Sequence, residues 1–178
     1  AAPAASRSHA LHERMSDWLR RRERAQRLRD EAEIDPGDAN AMVVGMGRIG
    51  CGAYDELAHE RGLRPVGIDA DPDIIARHQK QGRYVLMGSA TDADFWHRLH
   101  VDDGHLRLVL LAMPQVAENL FAAEHLVKEG FTGTIGAIAK YPDDEQALRA
   151  AGVHRVFNLY AEAGAGFAQH ICVTQQTG

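Results

Sequence analysis

From residue 40 onward, short apolar runs alternate with segments whose apolar residues recur every three or four positions. The runs at 40–45, 64–69, 83–88, 106–112, 133–139 and 154–158 predict strands. The segments at 48–61, 72–81, 92–99, 115–130, 143–151 and 160–172 predict helices. One run, Leu106-Arg107-Leu108-Val109-Leu110-Leu111-Ala112, is nearly all apolar, as a strand buried on both faces would be. Six strands separated by helices predict an α/β fold built on a doubly wound parallel sheet.

The residues ahead of this alternation follow a different pattern. Leu11, Met15, Trp18, Leu19, Ala25, Leu28 and Ala32 recur at helical steps with arginines between them, which predicts one long amphipathic helix over 6–33. Ser6 or Ser8 can cap its start, and Asp35-Pro36-Gly37-Asp38 ends it in a turn. The expected division is therefore 1–39, an Arg-rich helix with its linker, and 40–178, the α/β domain.

Chemistry enters at the first predicted strand. Ala41 to Val44 leads into Gly45-Met46-Gly47-Arg48-Ile49-Gly50, a helix follows, and the next apolar run ends on Asp69. This is the order of a Rossmann-like dinucleotide-binding unit, with its acidic residue about 20 positions after the glycines. Gly45 permits the tight turn out of the strand. Gly47 has no Cβ, so its backbone can approach a pyrophosphate, and Gly50 lets the helix pack closely on the sheet. Free N–H groups and partial positive charge at the helix start suit phosphate oxygens. Asp69 can accept hydrogen bonds from adenosine ribose hydroxyls. Its charge would repel a 2′-phosphate, and Ala70 supplies no cation to offset that, so the expected ligand is NAD(H) or AMP rather than NADP.

The other predicted strand ends, Gly88-Ser89-Ala90-Thr91, Ala112-Met113-Pro114 and Ala139-Lys140-Tyr141, are rich in small residues, as a cleft for a flat adenine requires. Ser89 or Thr91 can reach adenine or ribose, or cap the helix at 92–99. Arg48 can pair with a phosphate or face solvent.

Composition narrows the partners. The 178 residues carry a formal net charge of −5. Eight arginines against six acidic residues make 1–33 basic, leaving twelve basic and nineteen acidic residues in the remainder. An acidic body argues against nucleic acid. The arginine-rich helix suits a solvated face, a partner subunit, or an anionic membrane surface. No apolar stretch approaches the ~20 residues of a membrane span, and no signal peptide is visible. The chain starts Ala1-Ala2-Pro3 without an initiator methionine, as a piece of a longer protein does, with room for membrane segments upstream. Cys51 and Cys172 are too few for a disulfide framework and are expected to be reduced thiols, Cys51 as a small packing residue.

The series GMGRIG, IDADP, GSAT and LLAMP, with Glu118-Asn119 after it, resembles the nucleotide-binding regulatory domains of bacterial potassium transport proteins. This is the RCK/KTN (TrkA N-terminal) family, and the likeness is nearest to the C-terminal portion of Kef-type potassium/proton antiporters. It covers about 40–160. The resemblance implies a dimeric regulatory domain at the cytoplasmic face of the inner membrane. Such a domain binds NAD(H) or AMP and controls a potassium transporter unit in the same chain or a separate subunit. It places Gly45, Gly47, Arg48, Ile49 and Gly50 at the phosphates and Asp69 on the ribose. Ala70 and Asp71 fall beside the adenosine, Ser89, Ala90 and Thr91 near adenine, and Ala112 and Met113 on the cleft floor. One departure is Ser89, where the family often has aspartate. The basic helix over 6–33 fits a linker to a membrane unit.

The competing reading is a small NAD-dependent oxidoreductase. Hydride transfer needs a region to hold substrate and a positioned acid or base, and 178 residues leave no room for a substrate domain. His97, His100 and His105 straddle a helix end and a turn, which reads better as surface histidines than as a metal site. Tyr54, Tyr84, Tyr141 and Tyr160 all lack a lysine four residues on. A methyltransferase-like domain would want a G-x-G-x-G loop and an antiparallel last strand. The preferred expectation is a non-enzymatic module that senses an adenosine nucleotide.

Overall fold

A computed structural model of the chain describes residues 33–99, 101 and 104–174. The long helix expected over 6–33 lies outside them up to its last residue. The turn expected at 35–38 is present: Gly37 adopts φ +65°, and its N–H donates to Asp35 Oδ1 at 2.7 Å.

The six expected strands all form. They are β1 (Ala41–Val44), β2 (Pro65–Asp69), β3 (Val85–Met87), β4 (Leu108–Leu111), β5 (Thr134–Ala139) and β6 (Arg155–Asn158). They pair in parallel in the order β3-β2-β1-β4-β5-β6, the Rossmann arrangement of a doubly wound sheet. The helices are α1 (Arg48–Asp55), α2 (Pro72–Lys80), α3 (Ala93–Arg98), α4 (Val116–Lys128), α5 (Pro142–Ala150) and α6 (Leu159–Thr174). A π-type turn over Glu56–Glu60 prolongs α1 toward the end expected from the sequence. α6 follows β6 with no residue between them.

Alternation along β1 builds two cores. Met42 and Val44 join Val66, Ile68, Trp96, Leu111, Leu126, Ile135 and Leu148 on the face covered by α3, α4 and α5. Ala41 and Val43 point the other way, into a smaller cluster with Met46, Tyr54, Leu57, Ile75 and Val85 beneath α1 and α2. Central β1 is buried throughout.

Register sets the level of the strand ends. Val44 sits opposite both Ile68 and Leu111, so Gly45, Asp69 and Ala112 emerge side by side one residue later. The Gly45 N–H donates to Ile68 O at 2.8 Å and the Ala112 N–H to Val44 O at 2.8 Å. Asp69 in turn faces Met87, and the Gly88 N–H donates to Asp69 O at 2.9 Å. The order reverses between β1 and β4, so these ends open at the switch point where such sheets take ligands.

Candidate nucleotide-binding site

A cavity of about 350 Å³ opens at these strand ends. Its lining includes Gly45, Gly47, Asp69, Ala70, Ser89, Ala90, Thr91, Ala112 and Met113, all expected site residues. Val44, Ile68, Ile74, Gly88, Pro114 and Glu118 complete it. Ligand pockets occupy roughly 300–1,000 Å³, so its size suits a small organic molecule.

Gly45 has φ +90°, a conformation that L side chains rarely adopt, and this turns the chain out of β1. Gly50 packs against that turn, where an added Cβ would lie 1.9 Å from Gly45 O. A Cβ on Gly47 would meet nothing within 4 Å, which leaves the loop open on the cavity side. Gly47 is the N-cap residue of α1, with no side chain bonded to the helix start. The first helical bond runs from the Cys51 N–H to Gly47 O at 2.8 Å, so the preceding N–H groups lack partners within the helix.

Asp69 does more than the motif implies. Its Oδ2 accepts from the Met46 N–H at 2.8 Å, and its Oδ1 accepts from the Asp71 N–H at 2.9 Å. The carboxylate thus ties the glycine loop to the loop after β2. Each oxygen retains acceptor capacity for a ligand hydroxyl.

Four expected residues do not line the cavity. Arg48 and Ile49 are exposed on the first turn of α1, and Ile49 borders a separate apolar groove. Gly50 is buried under the loop. Asp71 caps α2, accepting from the Asp73 N–H at 2.8 Å and the Ile74 N–H at 3.4 Å. Nor does Ser89 or Thr91 cap α3: Asp92 does, accepting from the Asp94 N–H at 3.0 Å. The Ser89 and Thr91 hydroxyls bond each other at 3.0 Å on the cavity wall. Behind that wall, Trp96 Nε1 donates to Ala90 O at 2.9 Å. A Cβ on Gly88 would fall 2.2 Å from the Phe95 ring, so this glycine lets the ring pack beneath the wall.

The opposite wall is held by Asn119, only 1% exposed. Its Oδ1 accepts from the Met113 N–H at 3.2 Å, and its Nδ2 donates to Met113 O at 3.1 Å. Lys140 Nζ donates to Pro114 O at 2.7 Å. Lys140 borders a second hollow of about 160 Å³, which shares Met113 and Pro114 with the first. Two carboxylates, Asp69 and Glu118, face the main cavity, and among the described residues no lysine or arginine lines it. The start of α1 contributes partial positive charge at the loop end of the cavity. Beneath the loop, the Arg83 guanidinium bonded to Asp55 at 2.7 and 2.8 Å holds that carboxyl below the usual carboxylate range. His97 pairs with Glu129 at 3.2 Å, and His100 lies outside the described residues. Among the described residues no helix is long and apolar enough to cross a membrane.

Gly88 lines the cavity as one of the small strand-end residues expected there, whereas sequence reasoning missed Ile74 and Glu118 as lining, and His78 and Asn119 as supports. The last two carried a signal. Each is a polar residue at a helix position whose neighbours on the same face are apolar.

The family model of the TrkA-N domain matches residues 41–159. The glutathione-regulated potassium-efflux system protein KefC of Cronobacter sakazakii is 33% identical over 129 residues, 72% of this chain and 20% of that protein. The chain thus spans about a fifth of the curated relatives it matches. Among solved structures, the GsuK channel bound to NAD superposes with a TM-score of 0.59 at 25% identity, over 82% of this chain and 25% of that one. The Kef CTD of Shewanella denitrificans in its AMP-bound form superposes at 0.57 and 20% identity, over 76% of this chain and 80% of that one, a likeness of fold. The match runs from the first strand of the sheet to the start of its last helix, and the chain belongs to the TrkA-N domain family.

Proposed function

We propose that this domain binds an adenosine nucleotide without a 2′-phosphate, NAD(H) or AMP, and by doing so regulates a Kef-type potassium efflux system at the cytoplasmic face of the inner membrane. The observation that carries the reading is the cavity at the switch point, closed on one side by the glycine loop and bearing Asp69 at ribose level. Backbone N–H groups at the start of α1, those of Arg48 and Ile49 among them, take the phosphate. Asp69 takes the ribose, with Ala70 and Asp71 beside it. Ser89, Ala90 and Thr91 border the adenine, over a floor of Ala112 and Met113. A dinucleotide extends past Met113 and Pro114 into the second hollow, where AMP does not reach. Ser89 is bonded to Thr91 rather than to a base, which supports binding over chemistry.

Titration calorimetry of the nucleotide-stripped chain tests this. AMP, NAD and NADH are expected to bind well below millimolar, and NADPH weakest. No binding below millimolar by any of them, or tightest binding by NADPH, overturns the site. Substrate-dependent turnover of NADH would instead favour the oxidoreductase reading.

Regulation needs two arrangements with different affinity for the nucleotide, because only that difference shifts an equilibrium. A homodimer supplies them, and two features support it. Among the described residues, the face of the sheet over β4, β5 and β6 carries no helix on the α1 side, leaving an apolar groove of about 360 Å³ lined by Ile49, Ala53, Leu110, Ile138, Val156 and Phe157. Meanwhile α6, whose only acidic or basic residue besides His170 is Glu162, is exposed from Tyr160 to Cys172, with Phe167 71% exposed. An apolar helix is stable in water only when covered. With no connecting residue after β6, α6 has no loop in which to turn back over its own sheet. A second copy can provide α6 to the groove and receive one in return. Sedimentation is expected to give a dimer at micromolar concentration, and Phe167→Asp with Ile171→Asp a monomer. A wild-type monomer at that concentration would rule this arrangement out.

A further inference from the structure

A line of polar groups beneath the glycine loop has no part in the contacts proposed above. His78 lies on the buried face of α2 and is 3% exposed. Its Nε2 stands 2.8 Å from Met46 O, and its Nδ1 stands 3.2 Å from Nη1 of Arg83. A guanidinium can only donate, so Nδ1 is the acceptor in that contact. The ring proton is therefore on Nε2, which donates to the Met46 carbonyl. Arg83 is itself fixed by its two-pronged pair with Asp55 and by a bond to Gln81 Oε1. The line runs from α1 through the residues before β3 to α2, and ends on the loop.

The consequence follows from peptide geometry. The described chain has no cis peptide bonds, so the carbonyl of Met46 and the N–H of Gly47, which share one plane, point in opposite directions. Holding that carbonyl down toward α2 turns the Gly47 N–H outward, on the side where Gly47 lines the cavity. The other amide of Met46 is held as well, its N–H donating to Asp69 Oδ2 at 2.8 Å. With both flanking peptides gripped by side chains, the loop is set before any ligand arrives. A flipped 46–47 peptide would present a carbonyl oxygen where a phosphate oxygen must sit, which is repulsive.

We infer that His78, protonated on Nε2 and backed by Arg83 and Asp55, is a positioning residue that fixes the 46–47 peptide so that the Gly47 N–H meets the ligand phosphate. The inference rests on the nucleotide-binding reading for its purpose, while its geometry can be tested without a nucleotide.

The direct test is nitrogen-15 NMR of the ligand-free chain. The His78 ring is expected to carry its proton on Nε2, and a proton on Nδ1 alone overturns the assignment. In His78→Leu the Gly47 amide signal is expected to move and broaden. In His78→Gln, whose side-chain amide can still donate to Met46 O, it is expected to stay near its wild-type position. A Gly47 signal unmoved in His78→Leu overturns the inference. Calorimetry with AMP and NAD then reads the purpose: about tenfold weaker binding for His78→Leu and within about threefold of wild type for His78→Gln, the difference expected of one hydrogen bond. Equal loss in both variants marks a merely structural histidine and overturns the positioning role. If the wild-type chain binds no nucleotide, the function reading fails by itself, and the Gly47 and His78 signals still decide the geometry.

Discussion

Gly50→Ala is expected to abolish measurable nucleotide binding and to cost about 3 kcal/mol of stability, the upper end of the range for overpacking a close-packed site. The added methyl would stand 1.9 Å from Gly45 O, 3.0 Å from its carbonyl carbon and 3.3 Å from Val43 Cγ1. The nearest neighbour is backbone, so no rotamer change can relieve the clash. Gly45 cannot retreat either, because its φ of +90° and its N–H bond to Ile68 O define the turn out of β1. The remaining escape is for α1 to lift from the sheet, which displaces the N–H groups proposed to take the phosphate. Two neighbours serve as controls. At Gly52, also within α1, a Cβ meets nothing within 4 Å, so Gly52→Ala is expected to raise stability by roughly 0.5–1 kcal/mol with binding intact. At Gly47 the same open space borders the cavity, so Gly47→Ala is expected to keep the fold and weaken binding. Thermal unfolding and calorimetry on the three variants separate packing from contact. A Gly50→Ala chain that unfolds and binds like wild type would show that the close contact under the loop is not what shapes the site.

The difference between these glycines also marks how far the sequence could be read. Their roles followed from the motif alone, since a strand, a glycine turn and a helix in that order admit few geometries. The six strands were legible for a similar reason: each is built on a short apolar run bounded by turn residues, down to the Val156-Phe157 pair of β6. Supports that act across the chain were not. Met46 and His78 are 32 positions apart, and nothing in the local pattern at either end announces a shared hydrogen bond. Glu118 and Ile74 line the cavity from the first turns of α4 and α2, whose placement beside the strand ends periodicity does not give. Ser89, Thr91 and Asp92 compete for one helix cap within four residues, and only the backbone path decides for Asp92. The face over β4, β5 and β6 that no helix among the described residues covers on the α1 side escaped for the opposite reason. The sequence does contain a helix after β6, but only the structure shows that it starts with no connecting loop and stays exposed from Tyr160 to Cys172.

Asp69 joins the legible and the hidden parts of the site, and Asp69→Asn is expected to weaken NAD and AMP binding about 100-fold, equivalent to about 2.7 kcal/mol. The change is nearly isosteric, so the loss is chemical. In the wild-type chain both carboxylate oxygens accept backbone N–H groups, one from Met46 and one from Asp71. An asparagine offers one oxygen, and its amide group sets donor against donor at the other contact, whichever way it turns. One loop loses its anchor, and the ribose loses a charged acceptor, a hydrogen bond of the stronger class at about 1.5–3 kcal/mol. Asp69→Ala goes further by removing the negative charge that opposes a 2′-phosphate, so the preference for NADH over NADPH is expected to shrink toward equality even as both bind weakly. Calorimetry with the two reduced dinucleotides measures that ratio directly. An Asp69→Ala chain that still rejects NADPH as strongly as wild type would place the selectivity elsewhere on the cavity wall, with Glu118 the remaining carboxylate to test. The anchoring role has its own signature. Asp69 and His78 hold the two backbone groups of Met46, so their substitutions act on one element, and the combined loss in Asp69→Asn with His78→Leu is expected to fall short of the sum.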